Sequence, residues 1–334
     1  MSVFQTPPPS YSKEESEDIL SSQFKIIGDV KTLVSDRDQN FLVSTDNGQK
    51  YILKISNPAE QLQVLEMQNE ATRYIKSNDP ELGVPLQIGE IKIIEKEDQS
   101  YFVRLLEYLD GKFLKDQPLD DDAFEKLGRF LGRLNIALDG FSHTAADREF
   151  HWDTQSINLI RSRLKYLNNQ SHEKTITYFL DQYESQISPH ESHLRKMVIH
   201  NDGNDQNVLV NTDGKTIGII DFGDMVYSYQ VAEPAVCMAY VGIVSSNPIR
   251  SMCKVLKGYH ARFPLNDFDI NSAIYLMIIR LCISVTMAAW RMQLFPKNDY
   301  LAISQNPAWA LLRKMEKKNL ESLSGQFLKT ITIN

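Results

Sequence analysis

MVIHNDGNDQNVLVNTDGKTIGIIDFGD, residues 197–224, alternates three short apolar runs with aspartate, asparagine and histidine. The runs 197–200, 208–211 and 216–221 have the length and composition of buried strands, and the Thr-Asp-Gly of 212–214 predicts the turn between the second and third. A strand that only builds a core needs no carboxylate at its end. The polar residues at these strand ends are therefore candidates for chemistry.

These polar residues have the order and spacing of a phosphotransferase catalytic loop. His200, Asp202 and Asn207 form H-x-D-x-x-x-x-N, and Asp221 begins Asp-Phe-Gly after the following hairpin. Phosphoryl transfer needs a carboxylate that accepts the hydroxyl proton and oxygen ligands that hold Mg²⁺. We predict Asp202 as the base, Asn207 and Asp221 as the metal ligands, and His200 as a packed scaffold residue. Each could instead cap a turn, but their ordered combination favours catalysis.

Length, charge and cysteine usage limit the other possibilities. The 334 residues suffice for two lobes, and 42% hydrophobic with 24% charged residues is an ordinary globular mixture. A net charge of -7 argues against a nucleic-acid partner, which would need clustered Lys and Arg. The three cysteines, Cys237, Cys253 and Cys282, lack CxxC spacing, so we predict that they are reduced residues of the core. With no signal-peptide pattern and no apolar run of about 20 residues, we expect a cytoplasmic protein without a membrane partner. The oligomeric state is left open.

The first third of the chain predicts a strand-rich lobe. Residues 41–56 contain two β-rich runs around Asp46-Asn47-Gly48, which is a hairpin signal. A helical pattern over 58–77 follows, and residues 86–109 predict two or three more strands. Residues 1–23, rich in proline and charge, are predicted as a flexible arm leading into a capped helix. The nucleotide-binding lobe would then span 24–109.

Residues 110–334 predict a larger, mainly helical lobe that also contains the catalytic loop and the acceptor pocket. Its first helix has Phe124, Leu127, Leu131, Leu134 and Leu138 at spacings of three to four residues. Further helical patterns cover 156–187, 231–245, 248–263, 267–293 and 307–323. The predicted fold class is therefore α+β, with a small antiparallel sheet and one helix preceding a helical lobe.

A kinase site also needs a cation for the phosphates, and Lys54 is the candidate. KYILKIS, 50–56, is similar to the V-A-I-K strand of kinases, and Lys54 shares a strand face with Ile52. Its acidic partner should come from the following helix, where Glu66 and Glu70 lie one turn apart. We favour Glu66. The alternative for all of these charges is a solvated surface.

The motifs together resemble the aminoglycoside phosphotransferase and choline kinase superfamily, and within it the hydroxylysine kinase group, which includes the phosphotransferase domains fused to class III aminotransferases. The similarity covers about residues 24–323. The matched segments are SDRDQNF (35–41), RLLEYLDG (104–111), FHWD (150–153), HNDGNDQNVLV (200–210), GIIDFGDMVYS (218–228) and NDYLAISQNPAW (298–309). The resemblance implies a two-lobed protein-kinase-like fold, a small-molecule kinase activity, ATP or GTP as phosphoryl donor, and Mg²⁺.

The resemblance also implies roles in nucleotide binding. Ser35 and Asn40 would contact the phosphates, in a loop that lacks the glycines of G-x-G-x-x-G. The backbone of Glu107 and Leu109 would meet the nucleobase. The helix glutamate that is usual in the superfamily aligns with Gln68 rather than with Glu66. The partner of Lys54 is therefore left open.

The implied acceptor is an amino acid or amino alcohol that bears a hydroxyl, hydroxylysine-like first, with choline, ethanolamine, homoserine or an aminoglycoside as alternatives. A zwitterion needs an anion for its ammonium and a cation for its carboxylate. Asp224, Trp152 and Glu233, which stands where the superfamily has an aspartate, are candidates for the ammonium. Arg280 or Arg291, on one apolar helix, are candidates for the carboxylate. Alternatively, Arg280 pairs with a buried carboxylate and Trp152 only packs.

Other functions fit the sequence less well. A protein kinase is disfavoured because an apolar helix follows Asp221-Phe222-Gly223 within about ten residues, which leaves no room for an activation loop. A catalytically silent nucleotide-binding module would commonly have lost one of Lys54, Asp202, Asn207 and Asp221. A metal-dependent phosphatase would need the clustered His and Asp ligands of a two-metal site.

Overall fold

The computed structural model describes residues 2–211, 215–296 and 305–332. They divide into two compact units, Met1–Arg73 with Gly83–Asp110 and Tyr74–Leu82 with Gly111–Asn334. Strands dominate the first unit and helices the second, so the predicted α+β fold class is confirmed. The predicted turn at 212–214 and residues 298–304 of the matched segment 298–309 lie outside the described residues.

The first unit is built on an antiparallel sheet with strand order β1-β2-β3-β5-β4. Its elements are α1 (Lys13–Phe24), β1 (Asp29–Leu33), β2 (Gln39–Ser44), β3 (Lys50–Ile55), α2 (Leu62–Asn78, whose end belongs to the second unit), β4 (Gln87–Lys96) and β5 (Gln99–Glu107). The predicted hairpin is β2–β3, with Phe41 opposite Leu53. Its turn contains Gly48 at φ 81°, a conformation that glycine adopts without strain.

The capped helix that the sequence predicts after the N-terminal arm begins within residues 1–23. Lys13–Phe24 forms α1, which begins with a capping box between Ser12 and Glu15. Ile19 and Leu20 of this helix are buried in the same core cluster as Phe41 and Leu53 of the sheet. The segment docks because the apolar side chains of a capped helix cover one face of an otherwise exposed sheet.

The second unit is mainly helical. Its elements are β6 (Lys112–Phe113), α3 (Asp121–Leu138), α4 (Ile157–Arg163), α5 (Gln170–Gln186), β7 (Lys196–Ile199), β8 (Val208–Val210), β9 (Thr216–Ile219), β10 (Val226–Tyr229), α6 (Ala232–Val244), α7 (Pro248–Arg262), α8 (Asp267–Leu294), α9 (Gln305–Glu316) and α10 (Leu320–Thr332). The strands form two small antiparallel sheets among the described residues, β10-β7 and β6-β8-β9. These sheets contain most of the described residues of the segment 197–224.

Helix α8 lies at the centre of the second unit and packs against α4, α5, α6, α9 and α10. By length and composition alone it is apolar enough to cross a membrane. However, 94% of its most apolar window is buried inside the protein, as in a core helix, so the length test is weak evidence. Arg280 interrupts the apolar sequence of α8, so the length of uninterrupted apolar runs does not single out this helix.

Helices α3 and α7 cross in close backbone contact at two glycines. A Cβ atom at Gly128 would overlap the carbonyl oxygen of Val255, and one at Gly258 would overlap the carbonyl oxygen of Glu125. Each glycine thus faces the backbone of the opposite helix. Side chains larger than hydrogen would force the two helices apart.

The remaining differences from the predicted elements are local. The helical pattern 156–187 forms α4 and α5, because Asn169 caps a new helix start. The pattern 307–323 is divided between α9 and α10. Strands β6 and β10 were not predicted. Both are short, and the pairing of β10 with β7 connects residues about 30 positions apart, which local periodicity does not record.

Candidate active site

The loop between β7 and β8 places Asp202 in a network of hydrogen bonds. Its carboxylate accepts from Asn207 Nδ2 at 2.7 Å, Asn204 Nδ2 at 3.0 Å and Arg280 at 3.0 Å. These donors fix its orientation. His200 is fully buried, with Nε2 3.1 Å from the Ile220 carbonyl oxygen, as a scaffold residue would be.

The environment of Asp202 favours proton uptake. Burial raises the pKa of Asp202 to about 7, an effect that Arg280 opposes and the nearby carboxylates of Asp224 and Asp221 reinforce. A carboxylate with a pKa near neutrality accepts and releases a proton readily at physiological pH. The predicted role of Asp202 as the base is therefore compatible with its surroundings.

Asp221 follows β9 in a strained backbone conformation. Its φ of 64° lies in the left-handed region, and Asn201 of the catalytic loop has the same φ. Such residues cost free energy and concentrate at functional sites. The Asp221 side chain is exposed, and a 3₁₀ turn over Phe222–Asp224 follows it. Arg148 holds this turn by donating to the carbonyl oxygens of Gly223 at 3.0 Å and Met225 at 2.9 Å.

The two predicted metal ligands, Asn207 and Asp221, suit a Mg²⁺ ion that is also coordinated by phosphate oxygens. Within the described ranges, no group of three or more His, Cys, Asp or Glu side chains could hold a metal ion. Mg²⁺ commonly uses one or two protein oxygens and takes the rest from water and phosphate. Asn207 directs its Nδ2 to Asp202, which leaves Oδ1 for a cation, and Asp221 supplies an exposed carboxylate. The two predicted ligands therefore fit such an ion.

Arg280, predicted to bind an acceptor carboxylate, is occupied by the protein itself. It is 2% exposed and donates to Asp202 at 3.0 Å, to the Trp152 carbonyl oxygen at 2.7 Å and to the Tyr240 hydroxyl at 3.3 Å. Its guanidinium also lies 4.6 Å from the Trp152 ring centroid. This arrangement corresponds to the alternative in which Arg280 pairs with a buried carboxylate and Trp152 packs. Here that carboxylate belongs to the predicted base.

We expect Arg280→Met to lower kcat at least about tenfold with every acceptor, because it leaves the half-buried Asp202 carboxylate without its cation. Steady-state kinetics with carboxylated and decarboxylated acceptors measure this effect, and thermal melting checks that the variant folds. Arg280→Lys, which keeps the charge, should lose less. A loss confined to carboxylated acceptors would contradict this role and return Arg280 to the acceptor site.

Glu233, predicted as a candidate for the acceptor ammonium, instead supports the catalytic loop. It is fully buried at the start of α6, and its Oε2 accepts from the backbone amides of His200 at 2.7 Å and Asn201 at 3.3 Å. Asn135 Nδ2 donates to the same oxygen at 3.3 Å, and the Tyr259 hydroxyl donates to Asn135 at 2.6 Å. The carboxylate thus faces the loop backbone rather than an acceptor.

Asp224 has a different environment from Glu233. It is 8% exposed, and its carboxylate is close enough to Asp202 and Arg280 to influence the pKa values of both. Its assignment to the acceptor ammonium stays a prediction. Arg291, the other predicted carboxylate ligand, is buried on α8 with its guanidinium 5.7 Å from the Phe295 ring centroid.

In the first unit, Lys54 lies on β3 with 8% exposure. Its Nζ is 3.8 Å from the carboxylate of Asp38, which also accepts from the Asn57 amide at 3.0 Å. Glu66 is exposed, and its predicted pairing with Lys54 is not found among the described residues. Asp38 was not predicted as a partner of Lys54, although it lies within the matched segment 35–41.

A second buried cation of the first unit also escaped the sequence analysis. Arg104 on β5 is the cross-strand partner of Lys54 and is 2% exposed. It donates to Gln68 Oε1 at 2.9 Å and to Asn69 Oδ1 at 3.2 Å, both on α2. The residue that aligns with the superfamily glutamate therefore binds Arg104. The sequence signal that could have indicated Arg104 is its position at the start of the matched segment 104–111.

The predicted nucleotide contacts in the first unit stay predictions. Ser35 is half-buried between β1 and β2, and Asn40 is the cross-strand partner of Lys54. Asn40 Oδ1 is enclosed and has no hydrogen-bond partner among the described residues. At the end of β5, the Glu107 amide donates to the Leu86 carbonyl oxygen at 2.9 Å, so this amide is already engaged within the protein. Leu109 is half-buried.

Comparison with known proteins identifies the family. The model of the phosphotransferase enzyme family matches residues 29–261, more than half of the chain. The chain belongs to this family. Hydroxylysine kinase of Mus musculus is 28% identical over 337 residues, covering 92% of this chain and 90% of that protein. Hydroxylysine kinase of Danio rerio is also 28% identical, covering 89% of each chain.

Solved structures of other kinases share the fold. A microcompartment-associated aminopropanol kinase superposes with a TM-score of 0.73 at 16% identity, covering 96% of this chain and 98% of its own. Amicoumacin kinase in complex with AMP-PNP, Ca²⁺ and Ami has a TM-score of 0.66 at 15% identity, covering 88% and 91%. The resemblance and the kinase-like fold predicted from the sequence are confirmed. The protein is a phosphotransferase that acts on hydroxyl groups of small molecules.

Proposed function

We propose that this phosphotransferase is a Mg²⁺-dependent kinase that transfers the γ-phosphate of ATP or GTP to the hydroxyl of a small amine or amino acid, with a hydroxylysine-like acceptor first. The single observation that carries the proposal is that Asn207 donates a hydrogen bond to the Asp202 carboxylate, close enough to Asp221 for the two aspartates to interact electrostatically. The names of the related kinases support the acceptor class. Choline, ethanolamine, homoserine and aminoglycosides remain alternative acceptors.

The mechanism follows from the roles of these side chains. Asp202 orients the acceptor hydroxyl and takes its proton as the acceptor oxygen bonds to the γ-phosphorus. The bond from that phosphorus to the bridging oxygen breaks, the nucleoside diphosphate leaves, and Asp202 releases the proton to solvent. Mg²⁺, when bound by Asn207 and Asp221, would neutralise phosphate charge. Lys54 is the candidate cation for the phosphates in the first unit.

The segment after Asp221 supports a small acceptor. Strand β10 and helix α6 begin at Val226 and Ala232, so no more than a few residues separate the metal motif from packed structure. A protein substrate would need an ordered activation loop at this place in the sequence. The free thiols of Cys237, Cys253 and Cys282 agree with the proposed cytoplasmic location.

The test is a nucleotide-consumption assay with a panel of hydroxylated amines and amino acids. ATP and GTP are supplied in parallel, with Mg²⁺ or with excess EDTA. We expect Mg²⁺-dependent consumption with hydroxylysine-like acceptors and transfer of radiolabel from the γ-position to the acceptor. Preference for choline or ethanolamine over every amino acid would contradict the acceptor class. Consumption that needs no acceptor would contradict the kinase activity.

A further inference from the structure

Arg163, at the end of α4, is a buried cation that has no ionic partner among the described residues. It is 4% exposed, and its guanidinium lies 4.8 Å from the ring centroid of Trp290 on α8. Arg161, two residues earlier, pairs with Asp181 at 3.2 Å and Glu184 at 2.7 Å, whereas Arg163 pairs with no carboxylate in the described part of the chain. Its Nη1 is enclosed and has no hydrogen-bond partner there.

A buried guanidinium in such surroundings is costly. Burial lowers the pKa of Arg163 to about 10, and Tyr166 and the exposed Glu149 oppose this shift only in part. Contact with the Trp290 ring compensates some of the lost hydration. An anion at the guanidinium would supply the hydrogen bond and charge that the protein leaves out. Arg163 therefore has the properties of a site for a carboxylate.

Two consecutive residues connect Arg163 with the catalytic base. The Trp152 ring packs on Arg280, which binds Asp202, while the His151 ring lies 5.5 Å from the Trp290 ring. The pair 151–152 thus runs along α8 from the base towards Arg163. A helix rises about 1.5 Å per residue, so the distance from Arg280 to Trp290 along the axis is on the order of 15 Å.

We propose that Arg163 binds the carboxylate of the acceptor whose hydroxyl Asp202 activates. This inference rests on the proposed function and narrows it to amino acids. Asp202 contacts Arg280 and Arg163 contacts Trp290, at different positions along α8, so an acceptor that reaches both needs several bonds between its hydroxyl and its carboxylate, as hydroxylysine has and serine does not. Arg280, engaged by Asp202, does not compete for this role.

His151 is suited to assist Arg163. Burial and the adjacent Arg163 charge lower the pKa of His151 to about 4, so its ring is neutral at physiological pH. A neutral imidazole donates one hydrogen bond without adding a second positive charge. The competing explanation is structural, with Arg163 held by Trp290 and the distant charge of Glu149.

The experiment compares hydroxylysine with its decarboxylated diamine in wild type and Arg163→Met. We expect Arg163→Met to lower kcat/KM for hydroxylysine by at least about tenfold and to leave the diamine within about threefold, since a charge-assisted hydrogen bond is lost for one acceptor alone. Arg163→Lys should recover part of the loss. Arg161→Met, on the same helix but paired with α5, is the matched control and should change neither acceptor. Equal losses for both acceptors in Arg163→Met would overturn the proposal.

Two further measurements cover the case in which Arg163→Met does not fold. Wild type alone must prefer hydroxylysine over the diamine, and equal kcat/KM would overturn the proposal without any variant. Calorimetric titration of hydroxylysine into wild type and Arg163→Lys reports binding independently of turnover. Absence of binding to wild type, or unchanged affinity in Arg163→Lys, would also overturn it. Wild type that binds hydroxylysine but transfers no phosphate would contradict the proposed kinase activity instead, and leave the carboxylate site standing.

Discussion

Replacing Asp202 by asparagine is expected to lower kcat by about 10²- to 10⁴-fold, the usual contribution of a general base. The amide keeps the size of the side chain and an oxygen that accepts from Arg280 or Asn207, but it cannot take the acceptor proton. Nucleotide affinity should stay within about threefold of wild type, because the metal ligands are retained. Single-turnover kinetics and nucleotide titration measure the two quantities separately.

The same loop provides the control for this prediction. Asp205 is buried three residues further on and makes no contact with Asp202 among the hydrogen bonds of the described residues. Burial raises the pKa of its carboxyl. Asp205→Asn should therefore preserve kcat within about threefold. Turnover of Asp202→Asn at the level of this control would remove Asp202 from the role of base.

Asp221→Asn should abolish most of the metal-dependent part of nucleotide binding. Substitution of a residue that only hydrogen-bonds to a metal ligand already costs roughly 10- to 100-fold in metal affinity, and loss of a direct carboxylate ligand should cost no less. Asparagine is the preferred replacement because, like aspartate, it tolerates the left-handed backbone observed at this position, with φ of 64°. Alanine would add backbone strain to the loss of the ligand.

Calorimetric titration with ATP, with and without Mg²⁺, measures this prediction. In wild type Mg²⁺ should tighten binding, whereas in Asp221→Asn the two titrations should converge. Affinity without Mg²⁺ serves as the internal control and should be unchanged or slightly improved, because one negative charge has been removed. A wild-type response to Mg²⁺ in the variant would exclude Asp221 as a metal ligand.

The sequence allowed prediction of features that depend on neighbouring residues. The β2–β3 hairpin follows from its turn residues, and α3 follows from its apolar periodicity. The bonded pair Asp202 and Asn207 was predictable because both residues lie in one loop, where spacing fixes geometry. Short strands such as β10 were not predictable, because their pairing partner is distant in sequence.

The roles of the buried charges in the second unit depend on distant contacts. Arg280 binds a carboxylate 78 positions away, and Glu233 holds amides more than 30 positions away. Nothing in the local pattern distinguishes these partners from a small-molecule acceptor, since a ligand and a protein carboxylate satisfy an arginine in the same way. Arg163 was not predicted because its local sequence does not indicate burial. A surface helix with alternating arginines gives no indication that one of them is buried without a partner.

The crossing of α3 and α7 has a consequence for protein engineering. Alanine in place of a helix-interior glycine ordinarily stabilises a helix by about 1 kcal/mol, so a stability-guided design would choose Gly128 and Gly258 first. At these positions a methyl group would collide with the backbone of the other helix. Movement of the two helices apart would disturb the hydrogen bond from Tyr259 on α7 to Asn135 on α3. Asn135 in turn donates to the Glu233 carboxylate, which binds the backbone of the catalytic loop. Screens for improved variants would therefore find inactive proteins at two glycines remote from the chemistry, and a design protocol should hold both fixed.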